Sequence, residues 1–439
     1  MKVLKFGGTS VGDPNRIKKL YEIISSQSAG KKIIVLSAVS GTTNSLISVA
    51  ESFKNEEKEE AIRQINSLHQ FYNAFIEELF TAQNLKQSAQ EVVKKHFDLL
   101  KGFANDLFTS AEEKVILAQG ELISTFLFQL YLQEIGVKSV LLSAFDFMRI
   151  NEDGEPEYDY IKTNLNTLLN AHADEVLFIT QGYICRNAFG QEDNLRRGGS
   201  DYSASLIGAA VNADEIQIWT DIDGLHNNDP RFVNETKPIR FLSFNQAAEL
   251  AYFGAKILHP QSIYPAQKNN IPVRLLNTLN PGANGTLITN SEIPEKVIVA
   301  VAAKDGITAI RIKSSRMLMT YGFLRKIFEV FERYKTPIDM ITTSEVAVSL
   351  TIDNNNNLDE ITKELSHYGD ISINVNQTIV CVVGDFRSDT HGHVCIVLDA
   401  LKHLSIRMIS YGGSNYNISL LIPDNQKVEA LRALHNRLF

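Results

Sequence analysis

The sequence predicts an α/β protein: a mostly parallel central sheet with helices over roughly the first two thirds, then two smaller βαββαβ units. Three observations carry this expectation. Short apolar runs ending in glycine, hydroxyl or acidic residues alternate with long helical periodicities, the pattern of buried parallel strands whose carboxyl ends line a site. The character changes near Ser291, after a turn-rich stretch from Asn280 to Thr286. Beyond it, Ile338-Asp339-Met340-Ile341 recurs 68 positions later as Ile406-Arg407-Met408-Ile409. Each copy follows an amphipathic helix (Phe323 to Tyr334; His393 to Leu404) and precedes an apolar strand (Val346 to Ile352; Tyr416 to Ile422).

In chain order, Val3 to Phe6 is a strand that runs into Gly7-Gly8-Thr9-Ser10. Glycine lets backbone approach a ligand closely, and a turn of free N–H groups forms an anion-binding concavity, to which Lys5 adds a positive charge. The motif is neither a Walker loop nor a dinucleotide fingerprint, since Gly-Lys-Ser/Thr and a third spaced glycine are both missing. An ordinary tight turn satisfies the same residues. Ile33 to Ala38 reads as a strand buried on both faces, followed by Ser40-Gly41-Thr42-Thr43-Asn44. From Thr43 to Gly136 the chain reads as helical, with Ile65, Leu68, Tyr72, Phe75 and Leu79 at steps of three and four. Ser110 is the expected N-cap of the helix carrying Gln119-Gly120-Glu121. Val137 to Leu142, Val176 to Thr180, Ile216 to Thr220 and Ile271 to Leu276 are further strands; Ile307 to Ile312 and Thr378 to Val383 lead the two repeated units.

Bulk properties exclude several classes. A net charge of −8 and a pI near 5.8 argue against nucleic acid or an acidic membrane as partner. No apolar run reaches the ~20 residues of a membrane helix, and the N-terminus does not resemble a signal peptide. The three cysteines have no metal-type spacing; Cys381 and Cys395 lie in apolar stretches and read as buried thiols, consistent with the cytoplasm.

Four further stretches carry chemistry. In Arg196-Arg197-Gly198-Gly199-Ser200-Asp201, Ser200 or Asp201 can cap a helix and Arg197 can grip a carboxylate or phosphate bidentately; a capped helix start with surface arginines is the plain alternative. Trp219-Thr220-Asp221-Ile222-Asp223-Gly224, followed by Asp229-Pro230-Arg231, is acid-rich but lacks the terminal glutamate of a calcium loop. Lys256 follows Gly254-Ala255, and His259 before Pro260 suits fixing a loop. Glu121 lies on an otherwise apolar helix, where a carboxylate is costly unless it meets a cation or faces water.

Taken in order, Lys5-Phe6-Gly7-Gly8-Thr9-Ser10-Val11, Gly120-Glu121, Arg197-Gly198-Gly199-Ser200-Asp201, Thr220 to Gly224 and Ala255 to Pro260 resemble the motifs of aspartate kinases. Phe323-Leu324 and Ile341-Thr342-Thr343-Ser344-Glu345-Val346 resemble that family's regulatory half, built of two ACT units. The resemblance spans essentially the whole chain and is nearest the monofunctional, lysine-sensitive type, without a homoserine dehydrogenase half. It implies a three-layer amino-acid-kinase domain over 1–292 and a regulatory region over 293–439. The ACT units would cover about 307–376 and 377–439, with strands able to intertwine.

The implied reaction is phosphoryl transfer from ATP to the β-carboxylate of L-aspartate, the first step of lysine, threonine and methionine biosynthesis. By resemblance Lys5, Gly7, Gly8 and Asp201 are catalytic, with Lys5 bridging phosphates, the glycine amides cradling the transferred group and Asp201 orienting Lys5. Arg197 would clamp the substrate α-carboxylate and Glu121 its ammonium, with Thr43 and Ser200 adding hydrogen bonds. Thr220, Asp221, His226, Arg231 and Lys256, with Lys5, would hold ATP, whose Mg²⁺ rides mainly on phosphate oxygens and water. His226 stands where the family usually has Tyr, Arg196 where Gly is common and Asn194 where Thr is common. Met317, Thr320, Gly322, Phe323, Leu324, Asp339, Thr343, Ser344, Glu345 and Val346 match the effector pocket of lysine-inhibited relatives. The resemblance further implies a homodimer through the ACT units. Another amino-acid kinase of this fold, or a non-catalytic ACT sensor, is the competing reading.

Overall fold

Val3, Leu4 and Phe6 of the first strand are fully buried, and that strand lies at the middle of an eight-stranded sheet. The computed structural model describes residues 1–105, 107–195, 198–254, 258–291, 297–314, 321–387 and 391–439. Among them the chain divides into one unit of residues 1–225, 240–244 and 258–291 and another of 226–239, 245–254 and 297–439.

The strands of the first unit are β1 (Lys2–Phe6), β2 (Lys32–Leu36), β3 (Val140–Leu142), β4 (Leu177–Gln181), β5 (Ile184–Arg186), β6 (Glu192–Asn194), β7 (Glu215–Thr220), β8 (Phe241–Ser243), β9 (Val273–Asn277) and β10 (Thr286–Thr289). Its helices are α1 (Pro14–Ser26), α2 (Thr42–Lys54), α3 (Lys58–Leu79), α4 (Gln83–Gly102), α5 (Ser110–Glu134), α6 (Tyr158–Ala171) and α7 (Gly199–Ala210); α8 (Phe244–Tyr252) enters the second unit at Asn245, and α9 (Pro260–Lys268) returns to the first.

The sheet order is β3-β4-β2-β1-β7-β9-β10-β8, parallel except for the β9–β10 pair, and β5–β6 form a separate hairpin. Strand alternation sorts the layers. Leu4, Phe6, Ile34, Leu36, Leu177 and Ile179 share a core with α1 to α5, while the intervening residues, Lys5 among them, face α7 and its neighbours α6 and α9.

α5 is the spine of the helical layer. Its cap is Thr109 rather than the expected Ser110: Thr109 Oγ1 accepts from Ala111 N at 3.1 Å, and Glu112 returns to Thr109 N at 2.8 Å. Glu112 stands three residues after Thr109, the spacing of a capping box, and that selects the cap. α5 is long and apolar enough to cross a bilayer, but 78% of its apolar window is buried within the protein.

The second unit holds β11 (Ile298–Lys313), α10 (Phe323–Arg333), β12 (Ile341–Thr343), β13 (Ala347–Ile352), α11 (Leu358–Leu365), β14 (Asp370–Gly384), α12 (His393–Ala400), β15 (Met408–Tyr411), β16 (Asn417–Pro423) and α13 (Lys427–Leu438). They form one antiparallel sheet, β12-β13-β11-β14-β16-β15. β11 and β14 pair along their whole length, with register shifts around Gly306, which sits at φ 73°. One half packs Ile310 and Ile312 under α10 and α11; the other packs Val301 and Val380 under α12 and α13.

The strand completing the second βαββαβ unit, residues 298–304, thus precedes the first unit in the chain. A leading strand at Ile307 marks only half of β11. A single cut at residue 292 likewise differs from the observed division, because long-range contacts tie 226–239 to the second unit. Asn227 O accepts from Val301 N at 2.9 Å, Asn228 Nδ2 donates to Leu431 O at 3.0 Å, and Lys427 lies 4.2 Å over the Phe232 ring. Cys185 and Cys381 are buried, whereas Cys395 is exposed, because short α12 buries only Val397 fully.

Candidate active site

Register brings the strand ends together. Phe6 pairs with Leu36 and Trp219, and Leu36 with Gln181, so the turns after β1, β2, β4 and β7 share the carboxyl edge of the sheet. Lys5 projects toward α7, and its Nζ lies 2.7 Å from Asp201 Oδ1, the two side chains 11% and 15% exposed. α7 starts at a left-handed Gly198 (φ 71°) with no side-chain cap. Glycine in that role frees Ser200 and Asp201 from the capping expected of them. Ser200 Oγ instead accepts from Ser37 Oγ at 2.8 Å, and Asp201 takes Lys5.

The two glycines after β1 have different roles. The Gly7 N–H donates to Trp219 O at 3.2 Å, which removes it from an amide cradle. At Gly8 a Cβ would lie 3.0 Å from Ala38 O, so the turns after β1 and β2 touch backbone to backbone. Gly182 is tighter still: a Cβ there would stand 2.4 Å from both Cβ and Oγ of Ser200. Gly182→Ala is therefore expected to destabilise the protein by about 1–3 kcal/mol through overpacking and to lower activity by displacing the α7 N-terminus. Thermal melting alongside steady-state kinetics checks this, and unchanged values for both would contradict it.

Glu121 is 3% exposed, far from the solvent-facing alternative. Gly120 allows this, since a Cβ there would be 2.7 Å from Ala38 Cβ. Glu121 Oε1 accepts from Ala38 N at 3.2 Å, while Oε2 is buried with no hydrogen-bond partner among the described residues. Burial pushes its pKa up to about 8 against the pull of the Ala38 amide. A buried carboxylate with a free oxygen is a site for a cation or a donor.

Its surroundings are fixed. Ser124 Oγ donates to Ser37 O at 2.7 Å, Gln181 Nε2 to Thr125 Oγ1 at 2.8 Å, and Thr42 Oγ1 bonds Tyr72 Oη at 2.8 Å. Thr43 follows on the first turn of α2, half-buried. Burial, then the Glu121 charge, raises the Tyr183 phenol to about 12. Ser37, Ser124 and Tyr183 escaped the sequence reading; the polar endings of β2 and β4 were the only signal for Ser37 and Tyr183, and Ser124, within α5, had none. Asn194 Oδ1 accepts from Lys114 at 3.2 Å, which leaves its Nδ2 buried and unpartnered among the described residues.

The remaining residues named from the sequence are placed as follows. Thr220 Oγ1 donates to Asp221 Oδ1 at 3.2 Å, and Thr220 O accepts from Thr278 N and Oγ1, each at 2.8 Å. In the second unit, His226 Nδ1 lies 3.0 Å from Thr236 Oγ1, and exposed Arg231 holds Asp229 through Nε at 3.0 Å and Nη2 at 2.6 Å. Gly322 starts α10 at φ 77°; Phe323 is core, whereas Leu324 and Val346 are exposed. Ser344 N donates to Ala347 O at 2.8 Å, with Thr343 and Glu345 exposed beside it. Asp339 is buried against Lys304. Arg196, Arg197, Lys256, Met317 and Thr320 lie outside the described residues. Among the described residues no group of three or more His, Cys, Asp or Glu side chains could hold a metal ion.

Comparison with known proteins adds a history to this geometry. The model of the amino acid kinase family matches residues 1–277, and that of the ACT domain matches 380–438. Lysine-sensitive aspartokinase 3 of Escherichia coli is 33% identical over 449 residues, covering 100% of this chain and 99% of the relative. The chain belongs to the aspartokinase family. Among solved aspartokinases, E. coli aspartokinase III in complex with aspartate and ADP (R-state) superposes with a TM-score of 0.85 at 32% identity, covering all of both chains. The same enzyme in complex with lysine and aspartate (T-state) gives 0.83 at 33% identity, covering 100% of this chain and 99% of that one. The ACT model reaches only the second copy of the repeat, yet 307–376 in this aspartokinase runs βαββαβ and shares its first five elements with that copy, whose sixth strand is 298–304.

Proposed function

We propose that this aspartokinase transfers the γ-phosphoryl group of ATP to the β-carboxylate of L-aspartate, giving 4-phospho-L-aspartate and ADP. One observation carries the substrate assignment: the buried Glu121 carboxylate, with a free oxygen, at the sheet edge that also holds the Lys5–Asp201 pair. An amino-acid ammonium is the partner that carboxylate lacks. Both the aspartate and ADP complex and the lysine complex of the E. coli relative support the reading.

In the reaction a β-carboxylate oxygen bonds to the γ-phosphorus as the bond to the ADP oxygen breaks. The nucleophile is ionised at neutral pH, so no general base is needed. Positioning and charge neutralisation do the work. Lys5, held by Asp201, supplies positive charge to the transferring phosphoryl oxygens, and the Gly8 N–H and the α7 N-terminus add donors. Glu121 receives the ammonium, Arg197 clamps the α-carboxylate, and Thr43 and Ser200 orient the side chain. Thr220, Asp221, His226, Arg231 and Lys256 hold the nucleotide. Mg²⁺ would arrive with ATP and be held mainly by phosphate oxygens and water.

Lysine is the proposed feedback inhibitor, bound by the Gly322–Leu324 and Asp339–Val346 segments with Met317 and Thr320. Exposed Leu324, Phe328, Ile341 and Val346 favour a homodimer through the ACT units. The compartment proposed is the cytoplasm. ADP release measured across aspartate, glutamate and N-acetylglutamate tests the activity. Turnover with aspartate alone, and inhibition by lysine but not threonine or methionine, is expected; preference for another acceptor, or inhibition by threonine alone, would overturn the reading.

A further inference from the structure

The carboxylate assigned to the effector already holds a cation. Asp339 has a side chain only 1% exposed, and Lys304 Nζ lies 2.7 Å from its Oδ1. Lys304 also reaches Asp353 Oδ2 at 2.9 Å. Tyr252 Oη donates to the same Asp339 Oδ1 at 2.7 Å, and the Lys304 ammonium lies 4.6 Å from the centre of the Tyr252 ring. Asp339 Oδ2 is buried without a hydrogen-bond partner among the described residues. Burial works against the Lys304 charge, but Asp339 and Asp353 outweigh it and hold its pKa above the ordinary lysine value. Burial, then the bond to Asp339, keeps the Tyr252 phenol protonated well above its usual range.

Tyr252 ends α8, and α8 is seated firmly on this sheet. Glu249 accepts from Ser414 Oγ at 2.6 Å and from Asn417 Nδ2. At Gly254 (φ 139°) a Cβ would stand 2.3 Å from Ala303 O, the residue before Lys304. The cluster therefore joins the buried carboxylate, the β11 bulge and a helix that lies within the stretch matched by the amino acid kinase family model.

Two cations on one buried carboxylate repel each other strongly where water is scarce. We propose that Lys304 is a built-in competitor for the effector's ammonium: it occupies Asp339 in the effector-free protein, and a lysine effector binds only by taking that carboxylate from it. Tyr252, which shares the same oxygen, loses its acceptor in the exchange and carries the change to α8. This rests on the reading of Asp339 as an effector residue.

The test is lysine titration of activity and of calorimetric binding in the full chain, for wild type, Lys304→Met, Lys304→Gln and Lys304→Arg. Loss of the cation lowers the half-inhibitory lysine concentration by ~10-fold or more in the Met and Gln variants, whereas Arg, still cationic, stays within about threefold of wild type. Tyr252→Phe keeps calorimetric lysine binding but blunts inhibition. Unchanged or weaker lysine binding in folded Met or Gln variants overturns the proposal. If wild type is silent while Lys304→Met binds lysine, the competitor role stands and native lysine control falls; if neither binds, both fall.

Discussion

Lys5→Ala lowers kcat for aspartate phosphorylation by roughly 10³-fold, the upper end of what one preorganised charge-stabilising donor contributes. The expectation rests on position. Lys5 is nearly buried, points to the α7 side of the sheet and is fixed 2.7 Å from Asp201, so its charge is in place before the phosphoryl group arrives. Removing it also strands a nearly buried Asp201 carboxylate, which destabilises the protein and can mimic a catalytic loss. The pair Lys5→Ala/Asp201→Asn separates the two effects. Stability recovers in the double variant, because no unpaired charge remains, while kcat stays at the level of Lys5→Ala. Single-turnover kinetics with circular dichroism read both quantities. A Lys5→Ala enzyme within tenfold of wild type contradicts the role.

Glu121→Gln raises KM for aspartate by roughly 10²–10³-fold, in line with the 3–5 kcal/mol for breaking one side of a buried charge pair. The effect on KM for ATP is small by comparison. The pH behaviour is more diagnostic. With a folded-state pKa near 8 and an ordinary value of 4.5, the folded protein binds the Glu121 proton more tightly than the unfolded chain does. Stability is then lost as pH rises from about 4.5 through about 8, reaching on the order of 5 kcal/mol once the carboxylate is forced to ionise. Glu121→Gln removes that slope, so the variant melts higher than wild type at pH 8–9 and converges with it toward pH 4–5. Bound aspartate brings an ammonium, favours the ionised form and flattens the wild-type slope. A wild-type profile parallel to that of Glu121→Gln would contradict a carboxyl group held protonated.

The site residues were legible where local chemistry determined their place. An apolar run stopping at Gly7-Gly8 marked the end of β1, and an acid within the apolar face of α5 marked Glu121, although only the packing of Gly120 on Ala38 shows why it is buried. Features fixed by distant partners were not legible. The Gly7 N–H is taken by a carbonyl more than two hundred residues away, and Gly198 rather than Ser200 starts α7 because its backbone is left-handed. No strand is legible in the apolar run before Gly306, because its partner, the far half of β14, lies some eighty residues on. The same blindness hid Lys304 and Tyr252, neither of which belongs to a motif.

The acceptor is the aspartate β-carboxylate, and the product of its phosphorylation is an acyl phosphate. Hydroxylamine traps such a product as a hydroxamate. Incubation of the purified protein with ATP, Mg²⁺, L-aspartate and hydroxylamine is expected to give the β-hydroxamate of aspartate in step with ADP release, with Lys5→Ala forming both roughly 10³-fold more slowly. ADP release without hydroxamate, or hydroxamate formed equally from glutamate, would contradict it.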